Sequence, residues 1–124
     1  MDRILARRKS YTNETAVQIV RSGSGKEKSE LALALGFDCP DYGFAQSICL
    51  RLLDSDDENV KTSAIIGLAH IARRFKKLDK RTVKPYLLRE LRENASGKEL
   101  IVDAVEQINT YLNWHIAKHD KSNY

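Results

Sequence analysis

What the sequence has little of narrows it first. Two prolines and six glycines in 124 residues do not suit a collagenous or loop-dominated chain. The two cysteines, Cys39 and Cys49, stand ten positions apart with no partners at metal-ligand spacing. That excludes a disulfide-dense scaffold and a zinc ribbon, and both are expected as free thiols, Cys49 as a small core residue within SICLRLL. No apolar run approaches the roughly 18 residues that a membrane span needs. The opening MDRILARRKS is basic without an apolar stretch after it, so no secretory leader is expected and a reducing, cytoplasmic location follows. No segment alternates apolar and polar residues as a half-buried strand would. Charge is not strongly one-sided either: a net +4 permits an acidic partner without requiring nucleic acid. The length is that of one domain.

What is present is helical periodicity. Residues 58–75, ENVKTSAIIGLAHIARRF, place Val60, Ala64, Leu68, Ile71 and Phe75 at steps of four and three, on one face of a helix. Ile65, Ile66, Ala69 and Ala72 widen the stripe, so this helix needs neighbours on two sides and belongs at the centre of a helical stack. Asp54, Asp56, Asp57 and Glu58 crowd its start and Arg73, Arg74, Lys76 and Lys77 its finish, the charge order that a helix dipole favours.

Around it the spacing predicts five more helices. One runs from an Asn13 cap to Arg21, and one from a cap at or near Ser24 to a terminating Gly36. A third, capped by Asp41, covers residues 42–53. A fifth holds Pro85 in its first turn and uses Tyr86, Leu87, Leu88 and Leu91 as its stripe. The last covers residues 99–117, with Leu100, Ile101, Ala104, Val105, Ile108, Tyr111, Leu112 and His115 on its apolar face. Residues 1–12 read as an arm or short helix and 118–124 as a loose tail. The predicted class is all-α, about six helices in three antiparallel pairs.

The pairs repeat. A shift of forty residues lays Val60, Ala64, Ile65, Leu68 and Ile71 on Leu100, Ala104, Val105, Ile108 and Tyr111, and a shift of thirty-nine lays Ile48, Cys49 and Leu52 on Leu87, Leu88 and Leu91. Two helices in a period near forty are a helical-repeat signature. LLDSDDENVKTSAIIGLAHIA resembles the HEAT pattern of an acidic turn, a Val60-Lys61 pair, a small Ala64 and then Leu68. The resemblance implies a HEAT-like α-solenoid in which the small residue lets paired helices approach and a turn aspartate caps the second. It divides the chain into an end repeat at 13–36 and HEAT-like repeats at 42–75 and 81–117. The later copy lacks the turn aspartates and the Val-Lys pair.

Catalytic chemistry finds no foothold in the sequence. His115 and His119 stand four apart beside Asp120, but HIAKH lacks the glutamate of an HExxH site. His70, between the apolar stripes, is tied by no motif to a nucleophile or carboxylate. GSGKEKS has Glu27 where a phosphate loop needs Ser or Thr, and no strand precedes it. Trp114, with Tyr111 and His115 near it, reads as cover for the core. No enzymatic activity, metal, cofactor or small-molecule ligand is expected.

Two charge clusters remain. Asp54, Asp56, Asp57 and Glu58 put four acids in five residues, while Arg73, Arg74, Lys76, Lys77, Lys80, Arg81 and Lys84 put seven bases in twelve. In a stack of antiparallel pairs the turns at 22–25, 54–58 and 94–98 share one edge and those at 37–41 and 76–81 the other, so the two signs face opposite ways. The chain is also similar to the short HEAT-like immunity proteins encoded beside toxins of bacterial contact-dependent growth inhibition systems. That resemblance implies a one-to-one complex with a cognate toxin domain, commonly a nuclease with a basic cleft. Asp54, Asp56, Asp57 and Glu58 would meet it, with Asp38, Asp41 and Glu14 as companions. The alternative is a HEAT-like nucleic-acid-binding protein using the basic run 73–84 with Arg7, Arg8 and Lys9. The modest net charge and the lack of interleaved aromatics weigh against it.

Overall fold

The computed structural model describes residues 10–116 and, among them, an all-α chain without strands. Six helices follow in order: α1 (Asn13–Ser22), α2 (Gly25–Asp38), α3 (Tyr42–Leu52), α4 (Glu58–Phe75), α5 (Lys80–Glu93) and α6 (Lys98–Leu112). Short polar side chains set the starts of the first four. Thr12 Oγ1 accepts from the Thr15 N–H, and Ser24 and Glu27 form a reciprocal capping box. Asp41 Oδ1 accepts from the Phe44 N–H and Asp57 Oδ1 from the Asn59 N–H. Each satisfies donors that the first helical turn would otherwise leave bare. No helix among the described residues is long and apolar enough to cross a membrane.

Four boundaries differ from expectation. Thr12, not Asn13, caps α1, because its hydroxyl is the acceptor over the first free amides. Gly36 does not end α2, which runs on to Asp38; the residue is needed for a close helix crossing instead. α5 begins at Lys80, so Pro85 sits in its second turn. The carbonyl that the proline cannot bond four residues back belongs to Arg81, an exposed residue. α6 stops at Leu112, not at residue 117. Asn113 turns left-handed there (φ 57°), a conformation that asparagine tolerates. Asn109 then clasps Ile116 through two bonds of 2.8 and 3.0 Å, folding Trp114 and Ile116 back into the core. His115 therefore lies beyond the helix and is exposed. His119, Asp120, Arg7, Arg8 and Lys9, with the rest of residues 1–9 and 117–124, lie outside the described residues.

The core is organised by α4, which packs against α2, α3 and α6 and more lightly on α5. Val60, Ala64, Ile65, Leu68, Ile71 and Ala72 are completely buried, each large aliphatic side chain contributing about 1.5–3 kcal/mol. The backbones of α2 and α4 approach each other closely. A β-carbon on Gly36 would stand 2.8 Å from the Cα and carbonyl oxygen of Gly67, and one on Gly67 would stand 2.7 Å from the Ala32 carbonyl oxygen. Leu88 and Leu100, expected on apolar stripes, are exposed instead. On α5 the inner face is taken by Val83, Leu87, Leu91 and the polar Glu90.

Candidate functional site

Eighteen helical residues make α4 about 27 Å long, and the two charge clusters occupy its opposite ends. At the acidic end three turns meet. The Asp57 carboxylate lies against Gly25, where a β-carbon would be 2.6 Å from its oxygen. Glu58 Oε1 accepts both the hydroxyl and the N–H of Ser96, at 2.6 and 3.2 Å. The hydroxyl bond first, then the amide bond, hold the Glu58 carboxyl below the usual carboxylate range. Asp54 Oδ1 accepts from the Tyr86 hydroxyl at 3.4 Å, and Asp56 is exposed between these anchored neighbours.

Behind this end lies a buried polar node that the periodicity did not single out. Asn94 Nδ2 donates to Glu90 Oε1 and Thr62 Oγ1, both at 3.1 Å, and its Oδ1 accepts from the Gly97 N–H at 2.9 Å. Glu90, 1% exposed, also accepts from Arg89 Nε at 2.9 Å. Every member has a partner, as a polar group shielded from water requires. One signal was available: Glu90 and Asn94 follow Val83 and Leu87 at helical spacing, so they fall on a buried face.

The acidic companions do not join the acidic end. Asp38 closes α2, and Asp41 caps α3 beside Cys39, whose carbonyl is bonded to Arg74 at the other end of α4. Glu14 sits in the first turn of α1, the end remote from the 22–25 turn, on a shallow groove shared with Val17 and Arg21. Connectivity explains the split: α2 must run the length of α4 before Asp38 is reached.

At the basic end Arg74 is turned inward. Its guanidinium donates to the carbonyls of Gly36 (2.9 Å), Leu35 (3.2 Å) and Cys39 (2.8 Å), closing the C-terminus of α2 where a cation is favoured. It is a structural cap and is removed from the set of free surface cations. Arg73, Lys76, Lys77, Lys80, Arg81 and Lys84 are exposed. Gln46 Oε1 accepts the Asp79 N–H at 2.7 Å, fixing the start of α5 against α3. Aromatic rings from distant parts of the chain arrive here too. Lys77 Nζ lies 4.5 Å from the Tyr42 ring centroid, Lys76 Nζ 4.9 Å from that of Tyr111, and Lys80 Nζ 5.6 Å from that of Trp114. Phe75 is the one aromatic residue within the run itself. The tertiary structure adds these three from α3, α6 and the segment after α6.

His70 stacks on Phe37 with centroids 3.9 Å apart, and an Arg73 nitrogen lies 3.3 Å from its Nδ1, an arrangement for packing. Cys39 and Cys49 are free thiols, and burial pushes the Cys49 thiol up to about 12. No group of metal-ligating side chains occurs among the described residues. No family model, curated protein or solved structure matches the chain.

Proposed function

We propose that the protein is an immunity-type binding module, a HEAT-like α-solenoid that neutralises a cognate bacterial toxin domain in the cytoplasm by forming a tight complex. On this reading α1/α2, α3/α4 and α5/α6 are three antiparallel pairs. A recurrent contact supports the repeat: Arg74 of α4 reaches the carbonyls that end α2, and Arg89 of α5 donates to Leu53 O (2.6 Å) at the end of α3. Each arginine closes the helix two before its own.

The observation behind the function is the anchoring of the acidic end. Asp57 is held by its cap, Glu58 by Ser96 and Asp54 by Tyr86, so the carboxylates need little further ordering on contact. Carboxylates already fixed in place lose less entropy on binding than mobile ones, which suits insertion into a basic cleft such as that of a nuclease domain. Asp54, Asp56, Asp57 and Glu58 form the contact.

The test separates binding from capping. In Asp54→Asn/Asp56→Asn/Asp57→Asn an oxygen acceptor remains at each position while three charges disappear. Folding should stay within about 1 kcal/mol of the parent. Association with the toxin domain captured from the native host should slow and weaken, most at low salt. Lys76→Glu/Lys77→Glu/Lys80→Glu should bind that toxin nearly as the parent does. Loss of binding in the lysine variant, with none in the asparagine variant, would refute the assignment.

A further inference from the structure

We infer that the basic end of α4 is a second contact surface, separate from the acidic end, and that it takes the sugar-phosphate backbone of a nucleic-acid duplex without reading its sequence. It does not rest on the toxin-binding reading. Six exposed cations, Arg73, Lys76, Lys77, Lys80, Arg81 and Lys84, face three exposed carboxylates there, Asp38, Asp41 and Asp79. Asp41 accepts from the Phe44 N–H, and Asp79 Oδ2 accepts from the Thr82 hydroxyl at 2.8 Å.

The lysines are also positioned. Three ammonium groups each lie over a ring, those of Tyr42, Tyr111 and Trp114, and Lys76 Nζ donates to Arg73 O at 3.0 Å. The rings belong to the start of α3, the end of α6 and the segment after it, so each ammonium group is seated on a different ring. A cation held over a ring gives up part of its freedom before any partner arrives.

The class of partner follows from what this end offers outward. The core of a protein interface is aromatic and apolar, and lysine is depleted there. Here Trp114 is buried, and ammonium groups occupy positions over all three rings, so charge faces outward where apolar area would be needed. Covered rings are also poor platforms for unpaired bases. A regular polyanion suits this surface: phosphates contacted by lysine, with affinity from counterion release and no base contacts.

The experiment titrates the full chain into two fluorescent DNA duplexes of unrelated sequence and reads anisotropy. If three lysines meet one phosphate each, affinity for both should fall about 40-fold between about 50 and about 200 mM salt. Single Lys77→Gln and Lys80→Gln variants, whose helix content and melting check the fold, should each flatten the logarithmic salt slope by about 1. Lys76→Gln/Lys77→Gln/Lys80→Gln should bind roughly tenfold or more weakly at low salt. The Asp54→Asn/Asp56→Asn/Asp57→Asn variant should bind duplex at least as well as the parent. No binding at low salt, salt slopes unchanged in the single variants, or equal competition by poly-glutamate at matched charge would each overturn the inference. The last result would make the surface one for acidic protein.

Discussion

Gly67→Ala tests the packing at the centre of the molecule, because two opposing effects can be weighed against each other there. In a helix interior alanine is favoured over glycine by about 0.8–1 kcal/mol, so an open site would gain stability. Gly67 is not open: the new β-carbon would meet the Ala32 carbonyl oxygen at 2.7 Å and Cys49 Sγ at 3.0 Å. Ordinary non-bonded separations are about 3.5 Å, and the nearest obstacle is backbone, which cannot rotate away. α2 and α4 must therefore part by the better part of an ångström along their shared face. Overpacking of this kind costs about 1–3 kcal/mol, and a rigid obstacle favours the upper end.

The net expectation is a loss of about 2 kcal/mol, lowering Tm by roughly 6–10 °C for a chain of this length, with the urea m-value unchanged. Gly43→Ala is the matched control. It lies in α3, is exposed, and its β-carbon would meet nothing nearer than Asp41 Oδ1 at 3.7 Å, so it should gain about 0.5 kcal/mol. Gly36→Ala/Gly67→Ala should cost less than the two single changes together, since both open one crossing. A Gly67→Ala protein that melts at or above the parent temperature would refute the packing account.

Arg74→Ala removes three bonds from the end of α2 and should cost about 2 kcal/mol by chemical denaturation; Arg74→Lys should recover less than half, because an ammonium cannot span the same carbonyls. At about pH 8 a thiol reagent should modify half-exposed Cys39 alone, since the thiolate is the nucleophile and burial holds Cys49 near 12; fast reaction of both would contradict that burial. Because the folded-state value of Glu58 is depressed, its contribution is complete above its ordinary value of 4.5 and is lost as the pH falls through the folded value. Ser96→Ala or Glu58→Gln should thus flatten the acid-side decline of the urea midpoint, and an unchanged profile would exclude the contact.

Much of the local structure was legible in residue order. The limits of α4, the Ser24 and Asp41 starts and the burial of Ala64 follow from apolar spacing and capping chemistry. These depend on a few neighbouring residues and on the requirement that the first amides of a helix find acceptors. The two charge clusters were equally visible, as runs in the sequence. Their companions were not. Asp38 and Asp41 carry the same charge, but connectivity sets them near the opposite end of α4, where Arg74 reaches the Cys39 carbonyl.

Only the tertiary structure decided which members of a run face outward and what lies beside them. Arg74 and Arg73 are adjacent in sequence, yet one closes α2 and the other is exposed. Lys76, Lys77 and Lys80 meet rings that lie at least 34 residues away in the chain. Gly36 looks like a helix terminator by local rules and proves to be a contact residue, because the space it must leave free belongs to another helix. The sequence by itself settled which segments coil and where they start. Long-range packing settled which surfaces they present, because that depends on the helix placed opposite, and no local pattern encodes it.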